Sequence, residues 1–281
     1  MDGSSLTLEV MIATCGPDGG RRVEAMRLPR LDGVSYLVSW QEPGGVAVPE
    51  SLACREDVRV LPLEGLGLSR NRNHCLDNAR GDILLVADDD LELYPEGLEA
   101  VRRLFGENPG LEYGSFRYDS DVVKTYPVSA CCLARLPKDF YQTSFEIALR
   151  RDSRAGLLRF PENFGLGAGE FTAGEEELFL KKARINGLDC RFIPVTIACH
   201  PGATTGVRAR LADGALRARG VVAAVEYPLT AVLRVPLVAW RVSRARQAGF
   251  MTALRLMAAG ACKAIFGDAV RTYLKTPLSA K

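Results

Sequence analysis

At 281 residues and 47% hydrophobic content, the chain is long enough for one large domain with a sizeable core, plus an appendage. Its eight cysteines are scattered without a C-x-x-C pair, which argues against a zinc site or a disulfide framework and suits a reducing cytosol. The net charge of +2 hides an asymmetry: residues 1–202 carry 23 Lys and Arg against 31 Asp and Glu, whereas residues 203–281 carry 13 against 3.

Apolar runs at residues 8–14, 34–40, 58–61 and 83–87 predict four strands. The Gly- and Arg-rich connection between the first two has room for a modest helix at 22–28. Ser69 is placed to cap a short polar helix that Gly81 ends. Pro95 opens a further helix over 95–105, with Leu98, Val101, Leu104 and Phe105 on one face. Strands alternating with helices predict an α/β sheet. Asp119-Ser120-Asp121 reads as a polar turn.

The fourth strand runs directly into Asp88-Asp89-Asp90. In an open α/β sheet, ligands gather beyond the carboxyl ends of the strands, so this strand delivers its acids to where a substrate lies. Carboxylates two residues apart on an extended chain can point the same way, which lets Asp88 and Asp90 hold one hard divalent cation. The plainer alternative is a solvated turn in which Asp90 caps the next helix. In the polar helix before the strand, Arg72 and Asn73 can offer a charge-assisted contact and a hydrogen bond to a phosphate or sugar; the alternative is an ordinary exposed first turn.

Gly67-Leu68-Ser69-Arg70-Asn71-Arg72-Asn73, Ala79-Arg80-Gly81-Asp82-Ile83 and Asp88-Asp89-Asp90 together resemble the core of a family 2 glycosyltransferase of GT-A fold. Two later blocks are similar to that family in the same order: Phe164 to Gly169 with Gly174-Glu175-Glu176-Glu177, and Phe192-Ile193-Pro194-Val195 with Cys199-His200-Pro201. The resemblance covers roughly residues 6–206. It implies a nucleotide-diphospho-sugar transferase with a Rossmann-like mixed sheet at 1–206, followed by a helical extension at 207–281. It further implies that Glu176, beside Glu175, is the catalytic base, and that Asp88, Asp90 and His200 hold Mn2+ or Mg2+. Thr14, Arg72, Asn73, Asp88 and Asp89 would bind the nucleotide sugar, with a UDP-sugar favoured. Phe164, Gly165, Gly167 and Phe171 would form a mobile acceptor loop hinged on its glycines. The implied reaction is inverting transfer to a hydroxyl of a glycan or lipid-linked acceptor, in envelope or surface polysaccharide synthesis.

The chain departs from the pattern in two places. Gln41-Glu42-Pro43 follows the second strand where the family has Asp-Asp-Gly-Ser, and Glu176 is one methylene longer than the family's Asp. Two other readings stay open: a sugar nucleotidyltransferase, and a catalytically silent subunit that binds nucleotide sugars. The first would carry a Gly-rich phosphate loop after the first strand, which Cys15 to Arg22 matches only in composition.

The basic extension opens with Arg208, Arg210, Arg217 and Arg219, turns apolar over 221–242, and is basic again at Arg241, Arg244 and Arg246. Pro228, Pro236, Glu226 and Arg234 argue against a spanning helix there. Phe250, Leu254, Met257, Ala261 and Ile265 recur at helical spacing over 250–266. Basic amphipathic helices lying on an anionic membrane surface fit this composition; the alternative is packing on the catalytic domain or a second subunit. A nucleic-acid arm is not expected, because the basic residues alternate with aliphatics and lack stacking aromatics. Residues 1–5 are polar, with no apolar leader, so secretion is not expected. The combined expectation is a cytoplasmic protein at the inner face of the plasma membrane.

Overall fold

A computed structural model describes residues 6–121, 124–201, 213–245 and 247–278. The elements run β1 (Leu8–Cys15), α1 (Gly19–Ala25), β2 (Val34–Gln41), α2 (Glu50–Ala53), β3 (Val58–Leu63), α3 (Leu68–Asn78), β4 (Ile83–Asp88), β5 (Glu92–Leu93) and α4 (Pro95–Glu107). They continue with β6 (Tyr113–Ser120), β7 (Cys131–Cys132), β8 (Ile147–Arg150), α5 (Glu175–Ile185) and β9 (Cys190–His200). Four helices follow: α6 (Asp213–Glu226), α7 (Ala231–Arg244), α8 (Phe250–Phe266) and α9 (Asp268–Lys275).

The strands form one mixed sheet in the order β3-β2-β1-β4-β8-β6-β9-β5, with β7 paired to β9. β3, β2, β1 and β4 are mutually parallel, and β8 pairs antiparallel with both β4 and β6. The strand order reverses at β1, so the carboxyl ends of β1 and β4 border the switch-point crevice of a doubly wound sheet. Ala13 pairs with Asp88 in that register, which sets Thr14 and the three acids at one lip.

β1, β2 and β4 read as continuous apolar runs because both of their faces are covered. Leu8, Val10, Ile12, Tyr36, Val38, Ile83 and Leu85 pack with Leu98, Val101 and Phe105 of α4. Met11, Leu37, Leu84 and Val86 pack on the other face with Cys75 and Leu76 of α3 and Phe179 and Leu180 of α5. The buried Glu9 is satisfied within the sheet: it accepts from the Gly81 amide at 3.0 Å and from Arg59 at 2.8 Å. All eight cysteines are free thiols.

Several expected details shift. Helix α1 begins at Gly19, earlier than 22, and α3 starts without a side-chain cap, because Ser69 is fully buried and donates to the Phe164 carbonyl at 2.7 Å. Strand β6 carries Asp119 and Ser120, so of the expected polar turn only Asp121 lies outside a strand. The expected boundary at 206, with Arg208 and Arg210, falls outside the described residues, as does Arg246.

The apolar run at 221–242 is split by Tyr227 to Thr230 into α6 and α7. No single helix among the described residues is long and apolar enough to cross a membrane; α8 with α9 reaches that composition only as a pair bent by 54°. The buried stripe of α8 is Ala253, Leu256, Met257, Gly260 and Ala261, so Phe250 and Ile265 of the expected stripe lie exposed. Small residues win because α6 and α8 approach closely: a Cβ on Gly220 would strike the Met257 carbonyl, and one on Gly260 the Arg217 carbonyl. Helices α6 and α9 also pack on the segment around α5, where Ala218, Val221 and Val270 meet Phe164, Phe171 and Leu178.

Candidate active site

The three acids at the end of β4 are held by different side chains. Strand β4 stops at Asp88 and the chain turns through Asp89 and Asp90, so the extended alternation that would align Asp88 with Asp90 is broken. Each carboxylate has its own partner. Asp88 Oδ1 lies 3.0 Å from Arg72 Nη2. Asp89 accepts from Arg22 Nε at 2.8 Å and from the Thr14 hydroxyl. Asp90 Oδ2 lies 3.2 Å from His200 Nε2.

Arg72 is the hub of the site. Helix α3 buries four polar side chains near its start: Ser69, Asn71, Arg72 and Asn73 are each at most 6% exposed. From it the Arg72 guanidinium reaches Asp88 and the Ser144 hydroxyl (2.6 Å) with Nη2, and Glu175 (3.2 Å) and Glu176 (3.3 Å) with Nη1. The Phe160 ring covers its face, with the guanidinium carbon 5.5 Å from the centroid. Burial works against its charge, yet Asp88, Glu176 and Glu175 together keep its pKa above the ordinary arginine value.

One cation among three carboxylates leaves an excess of negative charge, and burial decides where protons reside. Burial, then Glu175, pushes Glu176 up to about 8. Glu177 rises to about 7 through burial and Glu176, and burial also raises Glu175 against the pull of Arg72. The amides of the first turn of α5 favour the charged forms, and desolvation outweighs them. The Glu175 side chain is 5% exposed and the Glu176 side chain 17%, so Glu176 is the more accessible of the two.

Asn73 is bonded to Phe160 and Glu162. Its amide nitrogen donates to the Phe160 carbonyl at 2.9 Å and to Glu162 at 3.1 Å, and its oxygen accepts from the Phe160 amide at 2.7 Å, so it pins the segment before the acceptor loop. No bond joins it to Thr14 or Asp89 among the hydrogen bonds of the described residues. Three residues join the site without having been expected there. Arg22 secures Asp89 and Ser144 shares Arg72 with Asp88, while Asn71 donates to the Thr14 carbonyl at 2.8 Å and leaves its own buried oxygen without a partner. An unbroken polar turn in a helix otherwise placed against the core was the available signal for Asn71; Arg22 and Ser144 lie in segments that carry no motif.

The expected acceptor loop is closed on itself. The Phe164 and Phe171 rings stack at 4.4 Å and 7°, both buried, and the Gly165 amide donates to the Phe171 carbonyl at 2.9 Å. Gly165 sits at φ +97°, and a Cβ there would press on the Glu175 carboxylate at 3.0 Å, so the loop's first glycine is required by backbone and space together. Gly167 lies at the loop tip, where the Leu68 amide of α3 donates to the Leu166 carbonyl at 2.8 Å.

Among the described residues, no three His, Cys, Asp or Glu side chains converge as metal ligands. Asp90 and His200 nevertheless form an adjacent carboxylate–imidazole pair. The Asp90 side chain is 47% exposed, His200 Nδ1 is buried without a partner, and Phe145 stacks on the imidazole at 5.7 Å. This donor pair fits a hard divalent cation as two ligands. Asp88, the third expected ligand, is paired with Arg72.

Residues 49–149, about a third of the chain, match the family model described as Glycosyl transferase family 2. Over that core the chain is similar to the family, as its sequence blocks suggested; the match stops before the acids of α5. S. aureus TarS 1-349, in a crystal structure with UDP-GlcNAc, superposes with a TM-score of 0.57 at 15% identity, covering 96% of this chain and 91% of that one. The mannosyltransferase PcManGT from Pyrobaculum calidifontis, in complex with GDP-Man and Mn2+, gives a TM-score of 0.54 at 17% identity, covering 97% and 86%. At these identities the likeness is one of fold, and the fold is GT-A. No curated protein sequence matches the chain.

Proposed function

We propose that the chain transfers a sugar from a nucleoside diphosphate, a UDP-sugar being favoured, to a hydroxyl of a glycan or lipid-linked acceptor with inversion at the anomeric carbon. The observation that carries this reading is the Arg72 cluster, which ties the β4 acid Asp88 to the accessible α5 acid Glu176 across the switch-point crevice. A donor lying over β1 and β4 would have Thr14, Asp89 and Arg22 beneath it. Glu176, on the opposite wall, would take the proton from the acceptor hydroxyl as its oxygen attacks the anomeric carbon and the nucleoside diphosphate leaves. Arg72 would stabilise the carboxylate that has to exist at that moment. Asp90 and His200 would hold Mn2+ or Mg2+, which would supply charge neutralisation at the departing diphosphate.

The basic C-terminal helices beside the acceptor loop support a setting at the inner face of the plasma membrane, on an acceptor destined for the envelope. Calorimetric titration of UDP, GDP, CDP and dTDP, each with and without manganese, tests the donor side. One nucleotide should bind, and more tightly with manganese. Absence of binding by every nucleotide would remove the transferase reading.

A further inference from the structure

Helix α7 turns two unlike faces outward and inward. Ala231, Val235, Ala239 and Val242 are buried against the neighbouring helices. On the opposite side Leu233 is 72% exposed and Trp240 48%, with Leu229 just before the helix at 94% and Val232 on the flank at 76%. Arg234, Arg241 and Arg244 rim this apolar strip, and all three are exposed. Two of them are braced on aromatics: Arg234 lies 3.6 Å over the Tyr227 ring and Arg244 lies 5.1 Å from the Trp240 centroid. Between Tyr227 and Gly267 the sequence contains no Asp or Glu.

We infer that this face of α7 docks on an anionic lipid bilayer. An exposed apolar strip rimmed only by arginines complements acyl chains below a layer of negative headgroups. A second copy of this chain is a poorer occupant, since a two-fold contact through α7 would set arginine against arginine with no acid to answer either. The docking face also lies in the right part of the molecule. Helix α6 of the same bundle packs on Phe164 and Phe171, and Lys263 of α8 pairs with Glu170 in the acceptor loop, so docking brings that loop close to the lipid surface. The inference rests on the proposed membrane setting and names the surface responsible; it does not depend on sugar transfer.

The test is flotation of the full chain with phosphatidylcholine vesicles, with and without phosphatidylglycerol, while tryptophan fluorescence is followed. Trp40 is 2% exposed, so a blue shift on binding reports Trp240. Binding should require phosphatidylglycerol and weaken with salt. Replacing Arg234→Gln and Arg241→Gln should weaken it about fivefold per arginine, and Leu233→Ser with Trp240→Ser should abolish it. Nucleotide titration on the same variants reports that the catalytic domain is intact. Equal binding to both vesicle types, unchanged binding by the variants, or a solution dimer that Leu233→Ser with Trp240→Ser dissociates would overturn the inference. A wild-type chain that binds vesicles but no nucleotide would instead remove the transferase reading and leave the docking face standing.

Discussion

Arg72 holds Glu176 from within the crevice, its Nη1 3.3 Å from the carboxylate oxygen, while the other arm of the same guanidinium holds Asp88. The arrangement makes one buried cation responsible for acids on two walls of the site. Replacing it by Met should cost about 3–5 kcal/mol, because the acids would keep their burial and lose their counter-charge. Urea unfolding reads this, and adding Glu175→Gln to Arg72→Met should recover part of the loss, since the two residues are in direct contact. Equal stability of Arg72→Met and wild type would mean that the cluster does not form.

Glu176 and Glu175 should separate functionally because they differ in exposure. Glu176→Gln removes the accessible base and should lower kcat by about 10²–10⁴-fold while nucleotide binding stays intact. Glu175→Gln, at a side chain almost closed to solvent, should retain much more turnover. The reverse ranking in a transfer assay would move the base to Glu175.

The same burial gives opposite pH trends for rate and stability. Glu176 is raised from its ordinary value of 4.5 to about 8, so kcat/KM should climb as pH rises through about 8 and the base loses its proton. Between about 4.5 and 8 the folded chain holds a proton that the unfolded chain has released, so stability should fall as pH rises across that window. Glu176→Gln should flatten part of that slope in a thermal melt series. A melt series that rises from pH 5 to 8 would contradict it.

Chelation should separate Asp90 from Asp88. If Asp90 and His200 are the two metal donors, manganese should strengthen nucleotide binding in the wild type, and Asp90→Asn or His200→Ala should each remove that increment. Asp88→Asn should keep the increment and instead loosen the Arg72 cluster, because Asp88 faces the guanidinium. Titration with EDTA and added manganese decides between this division and the pairing of Asp88 with Asp90 that their spacing suggests.

The strands around the crevice were legible because continuous apolar runs such as Ile83 to Ala87 have one plausible place, a sheet covered on both faces. What spacing could not show is which way a polar side chain turns. Ser69 has the chemistry of a cap and is drawn into the Phe164 loop, and Asn73 has the chemistry of a phosphate ligand and is spent on Phe160. Asp88 pairs with Arg72 and Asp90 with His200 because a turn begins at Asp89, which an extended-chain argument does not register. The α8 stripe was right at Met257 and Ala261 and wrong at its ends for a related reason: hydropathy favours Phe250 and Ile265, whereas close approach of two helices favours Gly260 and Ala253.

That close approach yields a prediction in which two effects of one substitution oppose each other. Gly220 lies inside α6, where helix propensity alone would make Gly220→Ala stabilising by about 1 kcal/mol. The added Cβ would strike the Met257 backbone carbonyl, which cannot rotate away as a flexible side chain would. Overpacking of this kind costs about 1–3 kcal/mol, so the substitution should be neutral to destabilising and should part α6 from α8. Gly260→Ala, facing the Arg217 carbonyl from the other helix, should behave the same way. Limited proteolysis reads the separation directly: both variants should be cut faster between α6 and α8 while the sheet resists. A Gly220→Ala chain that is more stable than wild type and no more readily cleaved would show that the two helices do not pack at this distance.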